Sequence, residues 1–168
     1  WRTVWVDPPA WTAQGWNVLK ILSGIEPRSR QEAVTFSPQA KRRLDALVAT
    51  LNPELLVLDT LRIGQYFWSP GKTGTRRILY MDDLFSLRFR RMNDVSSMDE
   101  SVRFNAGGTF SPMLPGLARA AIQSGSIQKL LYRLEAAKMD RRERDCTGRF
   151  DRCLLINPNE ARSLADQC

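Results

Sequence analysis

The chain has 168 residues and not one histidine. That absence removes whole mechanisms: a Ser-His-Asp triad, a His-paired cysteine nucleophile and a His-containing zinc site cannot be assembled from this chain alone. Cysteine is scarce and odd in number, with Cys146, Cys153 and Cys168 and no CxxC pair. An all-cysteine metal site is one ligand short, and a disulfide framework belongs to oxidising compartments for which nothing here argues; ordinary reduced thiols and no bound metal are expected. No stretch approaches the roughly 18 consecutive apolar residues of a bilayer-crossing helix. Internal repeats and low-complexity tracts are missing too. The chain opens on Trp1, with no Met and no basic-then-apolar leader, from which an internal or processed start is expected.

What is present fits a soluble globular domain: 43% hydrophobic and 26% charged residues. The formal net charge of +7 is unevenly spread, for residues 1–60 hold 7 Lys/Arg against 6 Asp/Glu and residues 61–168 hold 18 against 12. Such an excess favours anionic partners such as phosphates, diphosphates, acidic lipid surfaces or nucleic acid, without choosing among them.

Short β-type runs alternate with helical patterns. Val4-Trp5-Val6 is a β-like run stopped by Asp7-Pro8-Pro9, and residues 15–24 form a helix pattern ended by Gly24. A polar stretch from Glu26 to Glu32 leads into Ala33-Val34-Thr35-Phe36. The strongest helix signal follows: Ser37 is a good N-cap, Pro38 sits where its missing N–H costs nothing, and Ala40, Leu44, Leu47, Val48 and Leu51 make one apolar stripe. Asn52-Pro53 stops it. Leu55-Leu56-Val57-Leu58, Ile78-Leu79-Tyr80-Met81 and Cys153-Leu154-Leu155-Ile156 are continuous apolar runs, predicted as strands buried on both faces of a parallel sheet. Between them, 63–68 is helical or irregular, Ser69 to Gly74 is a loop, 84–92 is basic and aromatic, and 93–109 is a polar excursion. Pro112 to Ile122 is a helix pattern. A longer helix capped by Ser126 and closed by Gly148 carries Ile127, Leu130, Leu131 and Leu134 on a face expected to be core. Its basic rim suits an acidic membrane surface if it lies outside. Pro158 opens a short last helix. The pattern predicts an α/β fold with a mainly parallel sheet. Ligands of such sheets bind outside the carboxyl ends of the strands, which points to Asp59, Asp82-Asp83 and Asn157.

Three motifs invite chemistry. Gly71-Lys72-Thr73 lacks the earlier glycine of a phosphate loop, since Tyr66 stands there, and it precedes a strand; it reads as a turn. Tyr80-Met81-Asp82-Asp83 is similar to the YxDD run of polymerases, but the parallel α/β pattern supplies neither the antiparallel hairpin nor the third acid needed to hold metal ions. Acids at that position either cap the following segment or face a ligand. Ser86-Leu87-Arg88-Phe89-Arg90-Arg91-Met92 interleaves bases with aromatics, as a solvated basic face or as a site for a phosphorylated or diphosphate-linked substrate. One short run of this kind is not the extended surface that nucleic acid requires, so a nucleic-acid partner is not expected.

The order of these pieces resembles bacterial retaining glycosyltransferases of the large "group 1", or family 4, type. Phe36-Ser37-Pro38 with its helix, followed by Asn52-Pro53-Glu54-Leu55-Leu56-Val57-Leu58-Asp59-Thr60-Leu61-Arg62 and Gln65-Tyr66, is similar to their "P-D-V-V-H/V-D-S-x-R-M-x-x-Y" stretch. Arg77-Ile78-Leu79-Tyr80-Met81-Asp82-Asp83-Leu84-Phe85-Ser86 and Arg88-Phe89-Arg90-Arg91-Met92 resemble "P-x-I-L-D-x-D-D-L-x-S-x-R-Y-R-R-M". Leu131-Tyr132-Arg133-Leu134-Glu135-Ala136, Arg141-Arg142-Glu143 and Phe150-Asp151-Arg152-Cys153-Leu154-Leu155-Ile156-Asn157 look like "Y-R-x-E-A-x-x-x-R-R-Y-E…F-D-x-V-x-x-V-S". The likeness covers roughly residues 33–168.

That resemblance implies one half of a GT-B architecture: a single Rossmann-like, acceptor-side domain over residues 1–168, without its usual first strand and Gly-rich loop. The nucleotide-sugar half, with acids spaced as E-x7-E, is not in this chain. It further implies transfer of a sugar from a nucleotide-sugar donor to a glycan or lipid-linked acceptor in surface-polysaccharide synthesis, at a cytoplasmic site peripheral to the inner face of the membrane. No cofactor is implied for this chain, the nucleotide sugar being the intact enzyme's donor substrate. Asp82 and Asp83 would stand at the reacting sugar, Asp82 taking the place of a histidine found in many relatives. Asp59, Arg62, Ser86, Arg88, Arg90 and Arg91 would bind the acceptor. The other reading is a non-catalytic α/β module for phosphorylated ligands or a protein partner.

Overall fold

A computed structural model describes residues 28–69, 74–98 and 125–168. The run Val4–Val6, the helix patterns at 15–24 and 112–122 and most of the loop after Ser69 lie outside the described residues. The chain divides into two compact units, Trp1–Asp83 with Arg142–Cys168, and Leu84–Arg141.

The first unit holds the sheet. Helix α1, Arg30–Thr35, starts at a capping box: the Ser29 hydroxyl accepts from the Glu32 N–H, and the Glu32 carboxylate accepts from the Ser29 N–H. Within the stretch read as merely polar, Ser-x-x-Glu was the missed signal. Helix α2, Pro38–Leu51, begins as predicted, with the Ser37 hydroxyl accepting from the Ala40 N–H, and ends at Asn52 in the left-handed region, φ 42°. Asparagine tolerates that conformation better than most residues, and its N–H closes the helix on the Val48 carbonyl at 2.9 Å.

Strand β1, Leu55–Asp59, passes into the short helix α3, Thr60–Gly64, and a 3-10 turn, Gln65–Phe67; strand β2 is Arg76–Met81. Strand β3, Arg152–Leu155, is followed by helix α6, Pro158–Ala165, whose N-cap is Asn157. The second unit holds helix α4, Phe85–Met98, and the first part of helix α5, Gly125–Thr147, whose last residues belong to the first unit. The sheet order is β1-β2-β3, all parallel, with Asp59 opposite Tyr80 and Tyr80 opposite Leu154. The expected parallel α/β arrangement is thus present among the described residues.

The two faces of the sheet differ from expectation. Leu58, Leu79 and Met81 are buried on one face, where α3 packs so closely that a side chain at Gly64 would come within 2.8 Å of Leu79. On the other face Leu55, Val57 and Leu154 are exposed, Val57 at 60%. The prediction of strands buried on both faces is therefore corrected. A continuous apolar run permits two-sided burial, but cover comes from other elements, and among the described residues it reaches only one face.

Helix α5 brings a second correction. Ile127, Leu130 and Leu134 are exposed, while Gln128, Tyr132, Glu135, Ala136, Met139, Arg142, Glu143 and Cys146 are buried. The buried positions recur at steps of four, three and one, which is itself a helical stripe. Aromatic packing decides between the two stripes in the second unit, where Tyr132 stacks on Phe89 with ring centroids 6.4 Å apart.

Candidate functional site

The carboxyl ends of β1 and β2 present Asp59 and, just past Met81, Asp82-Asp83. Asp59 occupies the N-cap position of α3, yet its side chain makes no capping bond and is exposed. Asp82 is likewise exposed and Asp83 half-buried. Arg62, one turn into α3, is exposed beside them in sequence. Asn157, the remaining polar strand-end residue, is committed to structure, its side chain accepting from the Asn159 N–H at 2.9 Å.

Between Asp59 and Arg62 the backbone is strained. Thr60 sits at φ 65° and is only 4% exposed. A β-branched side chain in the left-handed region costs on the order of 1–3 kcal/mol, and such strain collects at functional turns where the surroundings enforce it. The residues that follow the turn are held by side-chain hydrogen bonds. The Gln65 amide nitrogen donates to the carbonyls of Glu32 and Arg62 at 2.9 and 2.8 Å and to the Thr35 hydroxyl at 3.1 Å. The Tyr66 hydroxyl donates to the Thr35 carbonyl at 2.7 Å and accepts from the Ser37 N–H at 3.0 Å. Burial holds the Tyr66 phenol above its ordinary range against the opposing pull of the Ser37 N–H. No pattern in the sequence signalled Thr60.

Beneath this turn lies a buried ion pair. The Arg142 guanidinium donates to both oxygens of Glu32, the shortest contact being 2.6 Å, and lies 3.3 Å from the centre of the Trp68 ring. Trp68 meets Phe150 edge-on at 5.8 Å, and Phe150 reaches Gly64. The turn after β1 is thereby tied to α1 and to the end of α5.

In the second unit Leu84 is buried just before α4, and α4 buries Phe85, Ser86 and Phe89. Ser86 is closed to solvent, whereas Arg88, Arg90 and Arg91 are exposed. Arg90 is held by Asp140 at 2.6 Å, and Arg88 lies over the Phe85 ring at 4.8 Å. Arg88 and Arg91, three residues apart, share one helix face, so two guanidinium groups are presented together.

A cavity of about 640 Å³ opens at the opposite, amino-terminal end of the strands, lined among others by Lys41, Asn52, Leu56, Phe67, Trp68 and Arg77. None of the predicted site residues lines it. Its cations are spent structurally: Arg77 donates to the carbonyls of Phe67, Ser69 and Arg149 at 2.8–2.9 Å, and Lys41 pairs with Asp45. Among the described residues no cluster of three or more cysteines and acids is placed to hold a metal ion. None of their helices is long and apolar enough to cross a membrane.

The fold so described is mixed α/β, with a three-stranded parallel sheet flanked by helices, compatible with a Rossmann-like half-domain. No family model, curated protein or solved structure matches the chain.

Proposed function

We propose that this chain is the acceptor-binding half of a glycosyltransferase that moves a sugar from a nucleotide-sugar donor to a glycan or lipid-linked acceptor. The observation that carries the reading is the set Asp59, Asp82 and Asp83 at the carboxyl ends of adjacent parallel strands, with the strained Thr60 turn beside it. Ionised carboxylates accept hydrogen bonds from sugar hydroxyls and are well suited to orient an acceptor. The exposed pair Arg88 and Arg91 supplies forked donors for a phosphate or diphosphate, and their charge also suits an acidic lipid surface at the inner face of a membrane. Stabilisation of the leaving diphosphate belongs to the nucleotide-sugar half, so this chain alone transfers nothing. A second reading, a phosphate-binding module without transfer, rests on the same Arg88–Arg91 face.

Calorimetric titration with a water-soluble, diphosphate-linked sugar tests the proposal. It predicts binding that weakens with salt, and an affinity loss of roughly tenfold for Asp82→Asn and for Arg88→Ala, as expected of one charge-assisted hydrogen bond. Loss in Arg88→Ala with none in Asp82→Asn favours the phosphate module. Absence of binding, or sugar transfer from a nucleotide sugar by this chain alone, overturns the reading.

A further inference from the structure

Cys146 and Cys153 were expected to be unremarkable thiols, but the fold brings them together. Their sulfurs are 3.3 Å apart, one in the last turn of α5 and the other in β3. Both are pinned by backbone bonds. The Cys146 carbonyl accepts from the N–H groups of Arg149 and Phe150 at 2.9 and 3.1 Å, which turns the chain out of α5. Asp151 then locks onto β2, its N–H donating to the Arg77 carbonyl at 2.9 Å and its carboxylate accepting from the Arg77 N–H at 2.7 Å. Cys153 falls opposite Leu79. A disulfide needs its sulfurs at about 2.05 Å, so closure asks the two sulfurs to approach by only about 1 Å.

We propose that Cys146 and Cys153 form a reversible dithiol–disulfide site that reacts with small-molecule disulfides of the glutathione class. Access sets the order of events. Cys146 is fully buried, whereas Cys153 is half-buried. The Cys153 thiolate attacks one sulfur of the small disulfide, forms a mixed disulfide and releases the first small thiolate. Cys146 then loses its proton and attacks the Cys153 sulfur, breaking the mixed disulfide and releasing the second. Two protein thiols are oxidised, and one small disulfide is reduced to two small thiols.

The charges favour this order. The contact between the two sulfurs holds Cys153 below the usual thiol range and, with burial, pushes Cys146 far above it. Once Cys153 is derivatised, its thiol contact no longer opposes ionisation of Cys146, and burial remains the opposing cause. Cys168, exposed and 3.8 Å from the Arg144 carbonyl, is the competing thiol. The site does not depend on the proposed transferase reading.

The test uses the full chain carrying Cys168→Ser, treated with glutathione disulfide, quenched in acid, denatured and alkylated. The expected product is lighter by two hydrogens, carries no alkyl group, and keeps the tryptic peptides of Cys146 and Cys153 joined until dithiothreitol separates them. Adding Cys146→Ser should halt the reaction at one stable mixed disulfide on Cys153. Full alkylation of both thiols after oxidant, or a mixed disulfide that persists while Cys146 is present, overturns the proposal; neither outcome requires the Cys146→Ser chain to fold.

Discussion

On one face of the sheet Leu58, Leu79 and Met81 are buried under α3 and Phe150, while on the other Leu55, Val57 and Leu154 are exposed. These residues are alike in type, so their own chemistry does not separate them. What differs is the cover. The covered face continues outward through Gly64, Phe150 and Trp68 to the Arg142–Glu32 pair, each layer fixing the next. A fully buried aliphatic side chain stabilises by about 1.5–3 kcal/mol relative to an exposed one, and Val57 forgoes most of that gain. The stability of the first unit should therefore be concentrated on one side of the sheet and at the turn that follows β1.

Substitutions should rank accordingly. Glu32→Gln has the largest expected effect, a loss of about 3–5 kcal/mol in chemical denaturation, because it leaves the buried Arg142 without its counter-charge and weakens the α1 capping box. Leu79→Ala follows at about 2–5 kcal/mol, through lost burial and the cavity left against Gly64. Tyr66→Phe should cost about 1–2 kcal/mol at neutral pH by stranding the Thr35 carbonyl and the Ser37 N–H. It should also change the alkaline limb. The folded-state phenol is raised above its unfolded value near 10, so its stabilisation is complete below that pH and is lost as pH climbs from there through the folded value. Denaturation across the alkaline range should show a shallower decline for Tyr66→Phe than for the parent chain. Val57→Ala, at an exposed position, is the smallest, within about 0.5 kcal/mol. A cost for Val57→Ala comparable to that of Leu79→Ala would break the distinction between the faces.

Much of the fold was legible before any coordinates. Ser37-Pro38 and the stripe after it marked α2, and the three apolar runs marked three strands within a residue or two of their observed limits. Those signals are local, resting on caps, proline and apolar run length. What escaped depends on partners distant in sequence. The burial of β1 requires knowing what packs on it, and the buried stripe of α5 is chosen by Phe89, over forty residues away from Tyr132. The capping box at Ser29 and Glu32 was readable but hidden in a polar stretch.

The candidate site was legible in its carboxylates and arginines, because strand-end acids follow from where apolar runs stop. Burial of Ser86, pairing of Arg90 with Asp140 and the strain at Thr60 were not, since each is set by tertiary geometry.

The sheet also offers two ends: the acidic carboxyl ends with Thr60, and the amino-terminal cavity lined by Asn52, Phe67 and Trp68. Residue-resolved NMR of the nitrogen-labelled chain, titrated with a soluble diphosphate-linked sugar, tests the proposed acceptor role most directly. The largest amide shifts are predicted at residues 59–62 and 82–83. Shifts confined to the residues of the amino-terminal cavity, or no shifts, would contradict it.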